Sequence, residues 1–175
     1  FYRYWEFFTQ RRDGTLDKPW DAYTPYEVRT IGAFVRLGWR ERAHELIRYF
    51  VDDQRPRAWN AFAEVVWRDR RKPGFIGDIP HTWCGSDFVN SFRSLFVYER
   101  ESDESLVLLH GVTREWLRGA GRADGLEAGF SLRNWSTMHG TLSLSASEDP
   151  KGVVRIEINR PEAMKRPATD ALERL

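Results

Sequence analysis

Apolar residues recur at helical spacing in the first part of the chain. Between residues 40 and 52 they lie three and four positions apart, on one face of a helix. A further helix start is predicted at Thr24, because Pro25 suits a first helical turn and Glu27 can complete a capping box. Gly38 suits the C-terminal cap of the same helix. The pattern predicts helical segments at about residues 2–8, 24–37, 40–52, 58–67 and 86–99.

The spacing of the apolar residues changes to an alternation after about residue 103. Between residues 141 and 147 Leu and Ala alternate with Ser or Thr, which is typical of an antiparallel sheet with one face on a core and one on water. Strands are predicted at residues 106–109, 130–134, 141–147 and 153–158, with a hairpin turn at 148–152 and a loosely ordered end from residue 161.

Short connections join the predicted helices, and such connections favour antiparallel hairpins. Paired helices in series fit an α/α toroid. The sequence therefore predicts a multidomain protein of the α-then-β class. Helical hairpins are expected in residues 1–103 and an incomplete β domain in residues 104–175.

Composition narrows the classes of function. The 27 basic and 26 acidic residues leave a net charge of +1, which argues against a nucleic-acid partner. No run approaches the roughly 18 apolar residues of a membrane span, so no membrane partner is expected. The single cysteine, Cys84, excludes a disulfide within the chain. The chain begins at Phe1 inside a helical pattern and without an initiator Met, so we expect an upstream part of the same polypeptide.

The segment from Trp59 to Asp87 concentrates the residues that carbohydrate sites use. It reads WNAFAEVVWRDRRKPGFIGDIPHTWCGSD and combines three Trp with carboxylates and a His. Flat aromatic faces stack on sugar rings, whereas carboxylates bind hydroxyls and move protons. The segment therefore predicts a concave carbohydrate site at the ends of helices.

Glu64 is the candidate catalytic residue. It lies between apolar residues of the predicted helix, where an apolar cleft would favour a role as a base. The structural alternative is a helix glutamate paired with Arg68 at position i+4.

The candidate substrate-binding residues lie around Glu64 in sequence and at one earlier helix start. Asp78, His81 and Trp83 share one Gly- and Pro-containing loop, and fixed loops at helix ends often carry binding groups. The structural alternative for them is a turn cap, a core histidine and a packing residue. The remaining candidates are Trp59, Tyr26 and Glu27, with Glu27 most simply a capping-box residue. The four His residues are scattered, so neither a metal site nor a cofactor is predicted.

The order of these features resembles a known family. The chain resembles the C-terminal part of bacterial six-hairpin (α/α)6-barrel glycoside hydrolases of the α-L-rhamnosidase-like type. The features that carry this resemblance are, in order, helical hairpins, W-x-x-x-x-E, the Gly-Asp-x-Pro-His-Thr-Trp loop, a helix and a β domain. The resemblance implies a partial (α/α)6 toroid followed by an antiparallel β-sandwich. It also implies Glu64 as general base and His81 as a residue that contacts the carbohydrate substrate.

The mechanism implied by this resemblance is inversion at the anomeric carbon. One carboxylic acid protonates the leaving oxygen and a second carboxylate activates water on the opposite face. Glu64 would activate the water, and the general acid is expected outside these residues. The alternatives are a non-catalytic carbohydrate-binding module, an inverting glycoside phosphorylase, and a helical scaffold whose Trp residues fill a core.

Overall fold

A computed structural model describes residues 1–72, 76–118 and 129–159. Helices precede most of the strands, and every strand pair in these ranges is antiparallel. The helices are α1 (Tyr2–Asp13), α2 (Arg29–Arg36), α3 (Arg40–Asp52), α4 (Thr82–Phe96) and α5 (Arg114–Arg118), with short 3-10 helices at Pro25–Val28 and Arg57–Trp59. The strands are β1 (Ala22–Tyr23), β2 (Val66–Trp67), β3 (Val97–Arg100), β4 (Ser105–Leu108), β5 (Phe130–Thr137), β6 (Gly140–Glu148) and β7 (Val154–Asn159).

The chain divides into two compact units. The first contains Phe1–Arg29 and Leu46–Val89, and the second contains Thr30–Glu45 and Asn90–Leu175. The predicted domain boundary near residue 103 stays a prediction. Within the described ranges, no helix has both the length and the apolar character that crossing a bilayer requires.

The first unit is built around an aromatic core. Phe8 of α1 is fully buried and contacts Tyr49 of α3 edge to face, with ring centroids 5.0 Å apart. Strands β1 and β2 pair antiparallel through Ala22 and Trp67. This pairing fixes the residues that follow β1 against those that precede β2.

The second unit contains two antiparallel sheets in its described residues. Strands β3 and β4 form a hairpin, and β5, β6 and β7 form a three-stranded sheet with β6 in the centre. Leu142, Leu144 and Ala146 of β6 are each 2% exposed, so the predicted apolar face is buried. Glu148 at the end of β6 is also buried and forms ion pairs with Arg114 and Arg118 of α5.

Several predicted elements are confirmed. The helix at residues 40–52 has the predicted bounds, and Gly38 follows α2 with a φ of 74°. The four predicted strands are present as β4 to β7, with ends that differ by up to three residues. The hairpin turn at 148–152 is confirmed by the backbone hydrogen bond from Asp149 N–H to the Val153 carbonyl. The prediction for the chain from residue 161 lies outside the described residues.

The predicted helix at 58–67 is wrong. Only Arg57–Trp59 is helical, as a 3-10 turn, and Asn60 then has a left-handed φ of 48°. The chain continues extended because its backbone groups pair with the loop before α4 rather than with each other. The backbone N–H of Glu64 donates to the Asp78 carbonyl at 3.1 Å.

One predicted cap and one predicted helix start are also wrong. Thr24 makes no side-chain capping bond, and a 3-10 turn precedes α2, so Glu27 does not complete a capping box. Helix α4 begins at Thr82 rather than at Ser86, whose hydroxyl donates to the Trp83 carbonyl within the helix. This helix ends at Phe96, where the chain continues directly into β3.

Candidate functional site

Tyr26 and His81 form the centre of the candidate site. Tyr26 lies on the 3-10 turn after β1, and His81 immediately precedes α4, so 55 residues separate them along the chain. The Tyr26 hydroxyl lies 2.6 Å from Nε2 of His81. The two rings meet edge to face with centroids 5.4 Å apart. This contact joins two of the substrate-binding candidates.

Trp83 extends the same cluster toward solvent. Its ring contacts the Tyr26 ring edge to face, with centroids 5.3 Å apart. The Trp83 side chain nevertheless stays 60% exposed. A large aromatic ring that is fixed on one edge and open to water is suited to stacking on a flat apolar ligand face. The alternative of Trp83 as a buried packing residue does not fit this exposure.

Glu64 lies on the extended segment that replaces the predicted helix, and its side chain is partly buried. It packs against Gly77, where an added Cβ would lie 1.9 Å from Oε2 of Glu64. Because the segment is not helical, an i+4 pair with Arg68 on one helix face does not form. No hydrogen-bond or ion-pair partner of the Glu64 carboxylate occurs among the described residues.

The carboxylate of Glu64 is close enough to influence its neighbours. Burial raises the pKa of the Tyr26 hydroxyl, and the charges of Cys84 and Glu64 raise it further. Burial also raises the pKa of the Cys84 thiol to about 11, with contributions from Asp87 and Glu64. Glu64 therefore belongs to the same electrostatic cluster as Tyr26. We call Tyr26, Glu64, His81 and Trp83 the Tyr26 cluster.

Asp78 lies at the edge of the Tyr26 cluster. Its side chain is 87% exposed, and its Oδ2 lies 3.9 Å from Nδ1 of His81, whose side chain is only 11% exposed. At this distance the two groups interact electrostatically but do not share a direct hydrogen bond. Asp78 thus presents a carboxylate to solvent beside the histidine.

Glu27 and Trp59 occupy other environments. Glu27 accepts hydrogen bonds from the Tyr4 hydroxyl at 2.8 Å and from the Arg11 guanidinium at 2.7 and 2.9 Å. Burial lowers the pKa of Arg11, but the hydrogen bond and charge of Glu27 raise it by more. Trp59 is 61% exposed and, within the described ranges, contacts none of the rings of the Tyr26 cluster. The Glu27 carboxylate is therefore bound to Tyr4 and Arg11 of α1, and its role in substrate binding stays a prediction.

Three residues beside the Tyr26 cluster were not among the sequence candidates. Arg29 forms an ion pair with Asp87 at 2.6 Å, and its guanidinium lies 5.2 Å from the centroid of the Tyr26 ring. Cys84 is fully buried. The signal for Cys84 and Asp87 was their place on the first turns of α4, immediately after His81, and it was missed because the helix was predicted to start at Ser86.

In the part of the chain that the structure describes, no group of three or more His, Cys, Asp or Glu side chains is arranged to hold a metal ion. Family models, curated proteins and solved structures were each compared with this chain, and none of the three comparisons gave a match.

Proposed function

We propose that the Tyr26 cluster is the general-base side of an inverting glycoside hydrolase site, with a carbohydrate as substrate. The observation that carries the proposal is the meeting of Tyr26, His81 and Trp83 beside the Glu64 carboxylate. These residues come from three separate parts of the first unit. Their joint position supplies a stacking surface, hydroxyl-binding groups and a carboxylate in one place.

Each group has a distinct role in this proposal. The exposed Trp83 ring stacks on the apolar face of a sugar ring. The Tyr26–His81 pair holds a sugar hydroxyl, since each side chain both donates and accepts hydrogen bonds. The Glu64 carboxylate removes a proton from the attacking water, and its lack of an ion-pair partner among the described residues leaves it able to accept that proton.

The finer architecture is part of the same proposal. We infer that the helices belong to an (α/α)6 toroid and that the strands of the second unit belong to an antiparallel β-sandwich. The helix-then-strand order and the antiparallel pairing support this inference. The mechanism also requires a general acid on the opposite side of the sugar. We propose that this acid lies outside the 175 residues of this sequence.

The test is turnover of a panel of aryl glycosides and oligosaccharides by the protein that carries this chain. Glu64→Gln should reduce turnover by about 10²- to 10⁴-fold, the usual contribution of a general base. Sugar binding should be retained, because the amide keeps the size of the carboxyl group. Glu6→Gln is the control, since Glu6 is exposed on α1.

A second variant separates a base from a merely structural carboxylate. In Glu64→Ala, azide can attack the anomeric carbon without losing a proton, so it does not need the base. Added azide should restore cleavage of an activated aryl glycoside and give a glycosyl azide of inverted configuration. Near-wild-type turnover of Glu64→Gln, or no azide rescue in a folded Glu64→Ala protein, would refute the assignment.

A further inference from the structure

A cavity lies in the first unit, at the C-terminal end of α1. Its volume is about 310 Å³, and it is bounded by the end of α1, the following loop, the end of α3 and the chain near Arg55 and Arg68. Ligand sites usually measure about 300–1,000 Å³, so this cavity suits a compact ligand. None of the residues of the Tyr26 cluster lines it.

Arginines dominate the charge of this cavity. Four arginines and only two aspartates line it, and both aspartates are already paired. Asp13 binds Arg12 at 2.7 Å, and Asp53 binds Arg55 at 2.5 Å. The guanidinium of Arg68 has no ion-pair partner among the described residues and is exposed. The cavity therefore carries an excess of positive charge, and the Arg68 guanidinium is available to a ligand.

Arg11 is a buried cation in the wall of the cavity. Its side chain is only 1% exposed, and its terminal nitrogens bind Glu27. Its Nε is buried and has no hydrogen-bond partner.

The remaining walls include two aromatic residues and an open glycine position. Trp20 and Tyr49 line the cavity, and the Trp20 ring is fixed edge to face on Tyr23 with centroids 5.5 Å apart. Gly14 also lines it, and no heavy atom lies within 4 Å of a Cβ built at that position. Aromatic walls beside guanidinium groups suit a ligand with a ring body and one anionic group.

We propose that this cavity binds a compact anionic ligand, a sugar-sized molecule with a single phosphate or carboxylate. Arg68 binds the anionic group, and Trp20 contacts the ring. The small volume and the net charge of +1 for the whole chain argue against a polyanion such as a nucleic acid.

Calorimetric titration of the protein at low ionic strength tests this proposal. The probes are glucose 6-phosphate, glucuronate and uncharged glucose. The wild-type protein should bind at least one of the two anionic sugars and should not bind glucose. Binding of the phosphate alone or of glucuronate alone distinguishes a phosphate site from a carboxylate site.

Arg68→Gln should weaken binding of the anionic probe about tenfold, because a hydrogen bond to a charged group is lost. Arg48→Gln is the matched control, since Arg48 is exposed on α3 and does not line the cavity. The proposal is overturned if neither anionic sugar binds at about 10 mM, where even millimolar affinity is measurable. Equal binding of glucose, or unchanged affinity in Arg68→Gln, overturns it as well.

Discussion

Gly77 has two structural reasons to be glycine, and its replacement by alanine violates both. Its φ is +65°, in the left-handed region that disfavours other residues. An added Cβ would also lie 2.4 Å from Cβ of Glu64 and 1.9 Å from its Oε2. The carboxylate oxygen can rotate away, but the Glu64 Cβ is fixed to the backbone. The segment that carries Glu64 must therefore move.

The magnitude follows from these two effects. The left-handed conformation costs alanine about 1–2 kcal/mol. An extra methyl group in a filled site costs about 1–3 kcal/mol more. Gly77→Ala should therefore lower the free energy of unfolding by about 2–5 kcal/mol.

Gly14→Ala is the control for backbone strain alone. Gly14 has a φ of +71° but no heavy atom within 4 Å of the added Cβ. Both variants reduce the entropy of the unfolded chain equally, so that contribution cancels. Urea unfolding should show Gly77→Ala less stable than Gly14→Ala by about 1–3 kcal/mol, the cost of the contact with Glu64. Turnover should fall more in Gly77→Ala for the same reason. Equal losses of stability in the two variants would refute the packing of Glu64 on Gly77.

Two further predictions concern ionisable groups. Hydrogen bonds from Arg118 and Arg114 lower the pKa of the Glu148 carboxyl below its ordinary 4.5. The stabilisation that the ionised carboxylate provides is therefore present above pH 4.5 and is lost as the pH falls through the lowered pKa. In urea unfolding, the difference in the free energy of unfolding between wild type and Glu148→Gln should therefore shrink from pH 7 to pH 3. A difference that does not depend on pH would contradict this prediction. Burial raises the pKa of the Cys84 thiol to about 11. Iodoacetamide at pH 8 should therefore modify this thiol only after the protein unfolds. Rapid modification of the folded protein would contradict this prediction, because it would show that the thiol is accessible.

The sequence predicted correctly those elements whose conformation is determined by their own residues. Helix α3 has an unbroken apolar stripe over its whole length, and the structure confirms its bounds. The alternation in β6 likewise predicted a strand with one buried face, and the structure confirms it. In both cases a single periodicity decides which side chains are buried, so no distant residue is needed to make the assignment.

The errors arose where distant residues determine the local conformation. Glu27 satisfies the capping-box pattern, yet two charge-assisted hydrogen bonds from Arg11 hold it elsewhere. Such bonds are stronger than neutral ones, so they outweigh a helix cap. Arg11 lies 16 residues away along the chain, and no local pattern reveals the pair.

The same principle explains the Glu64 segment. Its apolar residues fit helical spacing, but adjacent β-branched residues at Val65 and Val66 also favour an extended chain. The partner that decides between the two lies more than ten residues later, in the loop before α4. The candidate residues could be named from sequence, whereas the contact of His81 with Tyr26 could not.

Backbone pairing between Phe62–Val65 and the loop at residues 76–81 holds two parts of the candidate site together. The His81 N–H donates to the Phe62 carbonyl at 2.7 Å, and the Glu64 N–H donates to the Asp78 carbonyl at 3.1 Å. Glu64 and His81 therefore share one set of hydrogen bonds that does not depend on their own side chains. A site supported in this way keeps its geometry when a side chain is changed, as Glu64→Gln requires, but loses it when the backbone shifts. This is why substitution of Gly77, which has no side chain to contact a substrate, should affect the site through the position of Glu64.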